Sequence, residues 1–407
     1  MTFLLSMVAS GKAQGVDGKS GEFFQQARRS GLWPEADAVH RSAVTKARKK
    51  LSWQVFDSLL MDAVQLAYEI WPESPEYTWH GMTVIAFDGS KYNLPATDDM
   101  REVFDPESGL EVPGKGHYPQ CLVSTAFDVF RRLPIARTIS PIKTGNERED
   151  VKALLPRLPN QPQVLLFDRG YPSYDLIHHL STQNEPQHFV FRCPASSTFK
   201  AVENFVASGQ QDAFIWLDTA SHIKTKRTDT TDKHNCIQLR VVRLESPDGT
   251  LSVLITNLLE GELYTSQGII ELYFRRWRIE EQYRDEKTHL DSETFHSKSV
   301  NGIKQELIAI LVMCVISRTL VSLITENDPD SRHTPQFKNA TISLAKEAAL
   351  LTAENPEVAL QVFNELLIEI SRVKYYKPKK PRKSYPRVSR KPINKWQQDK
   401  SKRIANA

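Results

Sequence analysis

Cysteine is scarce in this 407-residue sequence, which contains Cys121, Cys193, Cys236 and Cys314. No two of them have the C-x-x-C spacing of a zinc knuckle, and the set gives no indication of a disulfide framework. Reduced thiols are typical of proteins in a reducing compartment. We therefore expect a cytoplasmic protein.

A long hydrophobic run is also missing. The uninterrupted apolar segment Leu307 to Ile316 is too short to span a bilayer, and Arg318 follows it. Residues 2–8 (TFLLSMV) are apolar, but they lack the preceding basic residue of a signal peptide. These patterns predict a buried core helix over 303–325, a helix at the N-terminus and no membrane partner.

Acidic residues are nearly absent from the end of the chain. From Arg372 onward we count 14 Lys and Arg residues and one acid, Asp399, against 39 basic and 48 acidic residues before that point. A basic tail interleaved with proline cannot build a core, so we expect residues 372–407 to be disordered. Nucleic-acid binding and a solubilising or vestigial role explain such a tail equally well.

Residues 1–80 are predicted to be helical because apolar side chains recur at helical spacing. The series is Phe56, Leu59, Leu60, Ala63, Val64 and Ala67. Before it, the segment 40–51 has four basic residues in its last seven positions, and Ser42 is a candidate cap. This basic helix is a candidate DNA-docking segment. An exposed amphipathic helix without that function is an equally good interpretation.

After residue 80 the pattern changes to that of strands. Apolar or alternating segments separated by turn residues are typical of a sheet. The predicted strands are 84–87, 120–130, 133–142 and 164–167, with a tight turn at Arg131-Arg132 and helices at 148–158 and 173–180. This order predicts a mixed α/β sheet whose first three strands form a meander. Residues 81–185 would be the first part of this core.

Two of these strands end alike, VIAFD-GS at Asp88 and VLLFD-RG at Asp168, each just before a glycine-containing turn. If the second strand lies beside the first, a right-handed crossover makes the two parallel and brings both carboxylates to one sheet edge. Either aspartate alone is explained as a turn or cap former. Two matched ends favour a shared site. Asp98, Asp99 and Asp105 are weaker candidates because they are predicted to lie in a polar loop.

The segment 273–287 (YFRRWRIEEQYRDEK) supplies a third acid. On one continuous helix, at about 100° per residue, a single face would carry Tyr273, Arg276, Glu280, Tyr283 and Lys287. Glu280 is then a candidate metal ligand, and the flanking cations suit phosphates. A solvated charged face is the usual explanation of such a helix. The paired aspartates favour the functional one.

The rest of the chain is divided by its strand and helix patterns. The segment between Asp168 and Glu280 is too long for a plain connection. Strand-like stretches at 188–193, 214–217, 237–244 and 252–258 predict a β-rich insertion over 186–262, with a polar loop at 224–234. Helices of the core are expected over 263–330, and a C-terminal helical region over 331–371.

Together these motifs resemble the acidic triad of the DDE transposases, most closely those of the insertion sequence 4 family. The signature of that family is Tyr, two residues, Arg, three residues, Glu, six residues, Lys, and Tyr273, Arg276, Glu280 and Lys287 meet it in full. FDGS at 87–90, FDRGY at 167–171 and the region 113–126 are similar to its other motifs. The resemblance covers roughly residues 1–325, weakly before 80, and implies a ribonuclease-H-like core.

The resemblance also implies the roles of these residues. Asp88, Asp168 and Glu280 would be catalytic and would bind two Mg²⁺ ions, for which Mn²⁺ can substitute. The residues in contact with DNA phosphates would be Tyr273, Arg276, Lys287 and Arg169. The alternative role of Arg276, Lys287 and Arg169 is to neutralise the acids, because carboxylates without metal repel one another.

The implied reaction is cut-and-paste DNA transposition by a bacterial mobile element. Water would nick the insertion-sequence ends, and the freed 3′-hydroxyl would attack target DNA. The partners would be double-stranded DNA, as terminal inverted repeats and as target, and a second copy of the chain in the DNA synapse. The C-terminal helices 340–371 are our candidate dimer surface.

Some relatives pass through a hairpin end, which needs a flipped base stacked on an aromatic ring. Trp216, Trp277 and Tyr283 are candidates, although core packing is the preferred explanation for each. Two other functions stay open: a metal-dependent nuclease without strand transfer, and a non-catalytic, domesticated DNA-binding protein. The intact triad argues against the second.

Overall fold

The computed structural model describes residues 1–9, 15–29, 31, 33–71, 74–104, 118–183, 187–196, 198–218, 236–245, 249–326, 333–352 and 355–376. Several predicted features lie outside the described residues. They are the tail after 376, the polar loop 224–234, Asp105 and the first residues of the motif region 113–126.

The helices are α1 Thr2–Ala9, α2 Val16–Arg29, α3 Arg41–Lys50, α4 Gln54–Ile70, α5 Asp98–Phe104, α6 Glu147–Leu154, α7 Tyr174–Ser181, α8 Lys200–Ser208, α9 Ser266–Arg275, α10 Arg278–Arg284, α11 Val300–Glu326, α12 Phe337–Glu347 and α13 Pro356–Arg372. The strands are β1 Thr83–Asn93, β2 Gln120–Asp128, β3 Leu133–Pro141, β4 Gln163–Phe167, β5 His188–Pro194, β6 Asp212–Leu217, β7 Ile237–Glu245, β8 Leu251–Thr256, β9 His333–Pro335 and β10 Lys374–Tyr376.

The main sheet has eight strands in the order β3-β2-β1-β4-β5-β8-β7-β6. The first three strands form the predicted antiparallel meander, which turns at Arg131-Arg132 with Arg132 at a φ of 61°. Strand β4 lies beside β1 and parallel to it, as the crossover rule predicted. This mixed sheet, flanked by helices, confirms the predicted α/β fold class.

The strands predicted between 186 and 262 extend this same sheet. Strand β5 pairs parallel with β4, and β8 then pairs antiparallel with β5. Strands β7 and β6 complete the row in antiparallel pairs. The β-rich segment therefore continues the hydrogen-bonded ladder of the core.

Both faces of β1 and β4 are buried, and alternation along the strands decides which residue faces which layer. Ile85 and Phe87 belong to the cluster that includes α4 and most of α11. Val84 and Ala86 belong to the cluster that includes α9 and α10. Asp88 has the same parity as Val84 and Ala86 of β1. Asp168 has the same parity as Val164 and Leu166 of β4, which belong to the same cluster. Strand geometry therefore directs both aspartates toward α9 and α10.

Helix α11 is the central helix of the molecule. It is long and apolar enough to cross a membrane by length and composition, but most of its most apolar window is buried inside the protein. Its side chains pack against α1, α4, α12 and the sheet. This confirms the core helix predicted over 303–325.

Three local predictions were wrong. Asp88-Gly89-Ser90 is not a turn, because β1 continues through it to Asn93 in register with β2. The segment 273–287 is not one helix, because α9 ends at Arg275, α10 starts at Arg278, and residues Asp285–His289 form a π-helical turn. Asp98 and Asp99 lie in the first turn of α5 and not in a loop.

Candidate active site

Asp88 lies where β1 loses one of its two neighbours. The pairing of β1 with β2 runs on to Asn93, whereas its pairing with β4 stops at Ala86 opposite Leu166. The backbone at Asp88 is thus fixed by β2 on one side and open on the other. Its side chain is 22% exposed.

Asp168 follows the last residue of β4. The rings of Phe87 and Phe167 stack with centroids 5.2 Å apart. Each aspartate directly follows one of these two phenylalanines in the chain. The carbonyl of Asp168 accepts a hydrogen bond from Tyr171 N at 3.1 Å, closing the turn that the sequence predicted. The two matched strand ends therefore meet at one edge, as predicted.

Glu280 reaches this edge from α10. The chain is anchored to the sheet by buried Ile269, Leu272 and Ile279. Between the two helices the backbone hydrogen bonds span three residues and not four, since Arg276 N donates to Tyr273 O at 3.0 Å. This bend directs Arg276 inward and leaves the next residue, Trp277, in solvent.

Arg276 is the centre of the acidic cluster. Its Nη2 donates to Glu280 Oε1 at 2.8 Å and lies 4.0 Å from Asp168 Oδ2. Its Nη1 lies 4.0 Å from Asp88 Oδ1 and has no hydrogen-bond partner, although the side chain is only 6% exposed. One guanidinium thus lies within 4.0 Å of all three predicted catalytic acids.

Two buried phenols orient the acids. Tyr273 donates to Asp168 Oδ1 at 3.1 Å. Tyr283 donates to the backbone carbonyl of Asp88 at 2.7 Å and to that of Val123 at 3.2 Å. Core packing is therefore the correct description of Tyr283. It is the wrong one for Trp277 and Trp216, which are 55% and 60% exposed.

Lys287 and Arg169 lie at the margin of the site. Lys287 Nζ donates to Ser90 Oγ at 2.9 Å and to Lys91 O at 2.6 Å, and it lies 4.3 Å from the centre of the Tyr92 ring. It therefore holds β1 just beyond Asp88. Arg169 is exposed beside Asp168.

Glu147 is a fourth acid at this edge, and the sequence reasoning missed it. It is the first residue of α6, which Asn146 caps by accepting from Arg148 N at 3.1 Å. Its carboxylate lies over Gly89, where a Cβ would approach Oε1 to 1.8 Å. Gly170 is on the other side of the carboxylate, and a Cβ built on it would lie 4.0 Å from Oε2. The Asn-Glu pair after β3 was the available signal, but it predicts only a helix start.

The charges of the cluster perturb one another. Burial raises the pKa of Asp88 to about 7; Arg276 opposes this shift, whereas Glu280, Glu147 and Asp168 add to it. Burial also raises the pKa of Glu147, and Asp150 and Asp168 reinforce the shift. Burial raises the pKa of Tyr273 to about 12. The acids thus lie close enough to resist simultaneous ionisation without a cation.

The donor chemistry suits a hard divalent cation, since every acid of the cluster offers carboxylate oxygen. Among the described residues, no three His, Cys, Asp or Glu side chains are arranged to hold an ion together. The reason is visible in the contacts above: Arg276 occupies the middle of the cluster and binds Glu280.

Comparison with known proteins gives a consistent set of matches. Residues 79–316 match the family model described as "Transposase DDE domain". The chain is 24% identical over 276 residues to "Transposase InsG for insertion sequence element IS4" of Escherichia coli (strain K12), covering 67% of this chain and 59% of that protein. It is 25% identical over 164 residues to "Probable transposase for insertion sequence element IS5377" of Geobacillus stearothermophilus, covering 40% of this chain and 41% of that protein.

A solved structure also matches over most of the chain. It is the cryo-EM structure of the piggyBac transposase synaptic complex with hairpin DNA, at 11% identity and a TM-score of 0.46, covering 94% of this chain and 76% of that chain. The matched part of the present chain spans 59% and 41% of the lengths of the two curated relatives.

Proposed function

Since the chain belongs to the transposase DDE domain family, we propose that it cuts DNA at insertion-sequence ends and joins the freed ends to target DNA. One observation carries the proposal: Asp88, Asp168 and Glu280 converge on the guanidinium of Arg276 from two strands and a helix. Carboxylates gathered in this way are costly unless a cation neutralises them. The arrangement supports metal-dependent phosphoryl transfer.

The family uses divalent metal ions, and the residues of the site fit one. The donors are carboxylates, and the unpartnered Nη1 of buried Arg276 points to an absent anion such as a phosphate. We propose that Asp88, Asp168 and Glu280 would hold two Mg²⁺ ions, for which Mn²⁺ can substitute. Bound metal would stabilise charge on the reacting phosphate. Glu280 must first release Arg276, to which it is bonded at 2.8 Å.

The reaction has two steps, each a displacement at phosphorus. The oxygen of a water molecule attacks the phosphorus at the insertion-sequence end, and the bond to the 3′ oxygen breaks. The freed 3′-hydroxyl then attacks a phosphorus of the target DNA, and the bond from that phosphorus to the target's own 3′ oxygen breaks, which leaves a 3′-hydroxyl on the target strand. No other co-reactant is required.

The cations of the site would position the DNA backbone. Arg276 can offer Nη1 to a phosphate oxygen while Tyr273, bonded to Asp168, holds the neighbouring carboxylate in place. Arg169 is exposed beside the same aspartate. Lys287 reaches the surface just beyond Asp88 and would contact the next phosphate.

Helix α3 is a candidate second contact with DNA. Lys46, Lys49 and Lys50 are exposed on it, whereas Arg48 points inward and binds Glu306 of α11 at 2.8 Å. The helix starts at Arg41, and His40 caps it where Ser42 was predicted to, by accepting from Ser42 N at 3.2 Å. A basic surface on a helix fixed to the core suits phosphates of a duplex.

The proposal extends to assembly and location. Two DNA ends must be held together for transposition, which calls for a dimer of the chain on DNA. Helix α13, in the predicted surface 340–371, exposes Leu360 and Ile368, which are 61% and 55% exposed, and is our candidate contact. Its site of action would be the bacterial cytoplasm, on chromosomal or mobile DNA.

The test is cleavage of a labelled duplex that carries the insertion sequence's own ends, in Mg²⁺, Mn²⁺ or chelator. Wild type should yield metal-dependent 3′-hydroxyl ends and, with target DNA, joined products. Glu280→Ala should abolish both. Glu281→Ala is the matched control, because Glu281 lies on the same helix but pairs with Arg132 at 2.8 Å.

The other candidate functions predict different products. A nuclease would give metal-dependent cleavage and no joined product. A non-catalytic DNA-binding protein would shift the DNA in a binding assay and cut it in neither metal. If wild type and Glu280→Ala bind equally and neither cuts, the catalytic proposal is rejected.

A further inference from the structure

Glu147 approaches both strand ends that carry the catalytic aspartates. Its carboxylate lies directly against Gly89, the residue after Asp88, and its second oxygen faces Gly170, two residues after Asp168. The first turn of α6 thus delivers a carboxylate between the two aspartate motifs. The proposed reaction gives the Glu147 carboxylate no role.

The close approach depends on glycine at position 89. A Cβ there would lie 1.8 Å from Oε1 and 2.8 Å from Cδ of Glu147, which is far inside contact distance. The backbone of Gly89 has an ordinary strand conformation paired with Ser124, so conformational freedom does not require glycine here. The requirement for glycine is the space that the Glu147 carboxylate occupies.

Glu147 also lacks a partner of its own. Among the described residues it forms no hydrogen bond and no ion pair, and the nearest cations, Arg148 and Lys91, act on it only through space. Arg148 donates from its Nη2 to the carbonyls of Gly170 and Pro172. Half-buried carboxylates without a partner are costly.

A second observation points to a missing ligand at the same place. Nη1 of Arg276 is unpartnered on a side chain that is 6% exposed, and it is directed at Asp88. The unpartnered Nη1 of Arg276 and the unpartnered carboxylate of Glu147 both lie near Asp88, and buried polar groups without partners indicate a ligand that the protein alone does not supply. A cation with its bound phosphate would satisfy both at once.

We propose that Glu147 is a fourth carboxylate of the catalytic site and binds the divalent cation together with Asp88 and Asp168. The inference rests on the proposed function. Glu280 is already bonded to Arg276, whereas Glu147 has no partner to release, so a shift of its side chain toward Asp88 and Asp168 would complete an acidic set at the strand ends before Glu280 is released. Glu147 would thus secure the metal ahead of the DNA.

The test is Mn²⁺ binding to the full chain without DNA. Binding is measured by titration calorimetry and by the electron paramagnetic resonance signal of free Mn²⁺. Glu147→Gln keeps the size of the side chain and removes its charge. We expect its affinity for Mn²⁺ to fall about 10- to 100-fold, the range seen when groups that support a metal site are removed. Glu149→Gln is the control, because Glu149 lies on the same helix and pairs with Lys152 at 2.9 Å.

Gly89→Ala provides an independent variant. Its methyl group should displace the flexible end of Glu147 and leave the strand intact, so its affinity should fall to a similar extent. The double variant Gly89→Ala, Glu147→Gln should bind no more weakly than Gly89→Ala alone, since both changes remove the same ligand. Additive losses would contradict the proposal.

The outcomes separate this inference from the proposed function. If Glu147→Gln binds Mn²⁺ like wild type while wild type cleaves DNA, the fourth carboxylate is rejected and the function stands. If Mn²⁺ binding depends on Glu147 but no DNA is cut in any metal, the site stands and the transposase function falls. A change in melting temperature without a change in Mn²⁺ affinity would assign Glu147 a purely structural role and overturn the inference.

Discussion

The carboxyl group of Asp88 is mostly buried, and this burial raises its pKa to about 7, against the ordinary value of 3.8. Between these two values the native protein holds a proton that the unfolded chain has already released. The free energy of unfolding therefore falls as the pH rises through this window. The contribution of a protonated Asp88 is fully present below about pH 4 and is lost above about pH 7.

This gives a prediction for the metal-free protein. Asp88→Asn cannot ionise, so its stability relative to wild type should increase as the pH is raised from 4 to 7, by at most about 1.4 kcal/mol per pH unit. Urea unfolding of both proteins in chelator, at several pH values, measures the difference. Saturating Mg²⁺ should reduce it, because metal stabilises the ionised form. A difference that is independent of pH would show that Asp88 is not perturbed in this way.

Arg276 performs in the metal-free protein the neutralisation that a cation would perform in the loaded one. Arg276→Gln should destabilise the protein in chelator by about 1.5–3 kcal/mol, as expected for loss of hydrogen bonds to charged groups. Added Mg²⁺ should restore much of this loss, because the variant leaves the acids without a counter-charge. Thermal unfolding with and without Mg²⁺ is the measurement. Arg275→Gln, on the exposed face of α9, is the control, and equal losses with and without metal would refute the idea.

At the scale of single residues, the sequence contained enough information for three acids and not for the fourth. Asp88, Asp168 and Glu280 each lie in a motif whose spacing is local to one strand or helix. Glu147 reaches the site only because α6 packs across Gly89, which depends on tertiary structure. Spacing along the chain carries no trace of that contact.

The segment 273–287 shows the same limit at the scale of a helix. Periodicity assumes one repeat of about 3.6 residues per turn, but the chain tightens at Arg276 and widens over Asp285–His289. The π-helical turn brings Glu286 into the core, where it accepts from Arg137 Nη2 at 2.8 Å and from Tyr92 OH at 2.8 Å. These contacts come from β3 and β1, so local sequence could not predict the irregularity.

The Arg137–Glu286 pair should therefore be a main stabilising contact of this segment. Both side chains are fully buried, and Arg137 also donates to Thr125 and to the carbonyl of Leu307. Glu286→Gln leaves the Arg137 charge buried without a counter-charge, and we expect a loss of about 3–5 kcal/mol in the free energy of unfolding. Urea unfolding of purified variants measures it.

The control for this prediction is the partly exposed pair Arg132–Glu281. Glu281→Gln should cost about 0–1 kcal/mol, because that pair is partly solvated. The double variant Arg137→Met, Glu286→Leu should be more stable than Glu286→Gln, since it removes both charges together. A loss for Glu286→Gln no larger than that for Glu281→Gln would mean that the buried pair does not stabilise the turn.

At the scale of the whole molecule, the sheet was predictable over its first four strands. Apolar or alternating runs located β1 to β4, although the predicted turn at 88–90 is part of β1, and the crossover rule gave the parallel direction of β4 beside β1. The strands after residue 186 were predicted as a β-rich insertion, but the sequence did not predict that they pair into the same sheet through β5 and β8. Pairing between β5 and β8 joins residues far apart in sequence, and alternation patterns carry no information about partners.

Charge is distributed unevenly along the chain. Residues 377–407 contain 12 Lys and Arg residues and one acid, whereas the remainder contains 41 basic and 48 acidic residues. If the tail binds DNA, ending the chain at Tyr376 should weaken binding to a duplex of random sequence. It should also make the dependence on salt shallower, by about one unit of log K per log salt for each phosphate that the tail neutralises. Fluorescence anisotropy over a series of salt concentrations measures both.

A shortened chain that still ends after β10 keeps every described helix and strand, so its unfolding transition should match that of the full chain and serve as the control. In the shortened chain, replacing Lys46, Lys49 and Lys50 by Gln should make the dependence of log K on log salt shallower still if α3 is the second DNA-binding element. If the full and shortened chains have the same salt slope, the tail is a solubilising segment, and the DNA affinity must come from the acidic-rich body through α3 and the cations around Asp88 and Asp168.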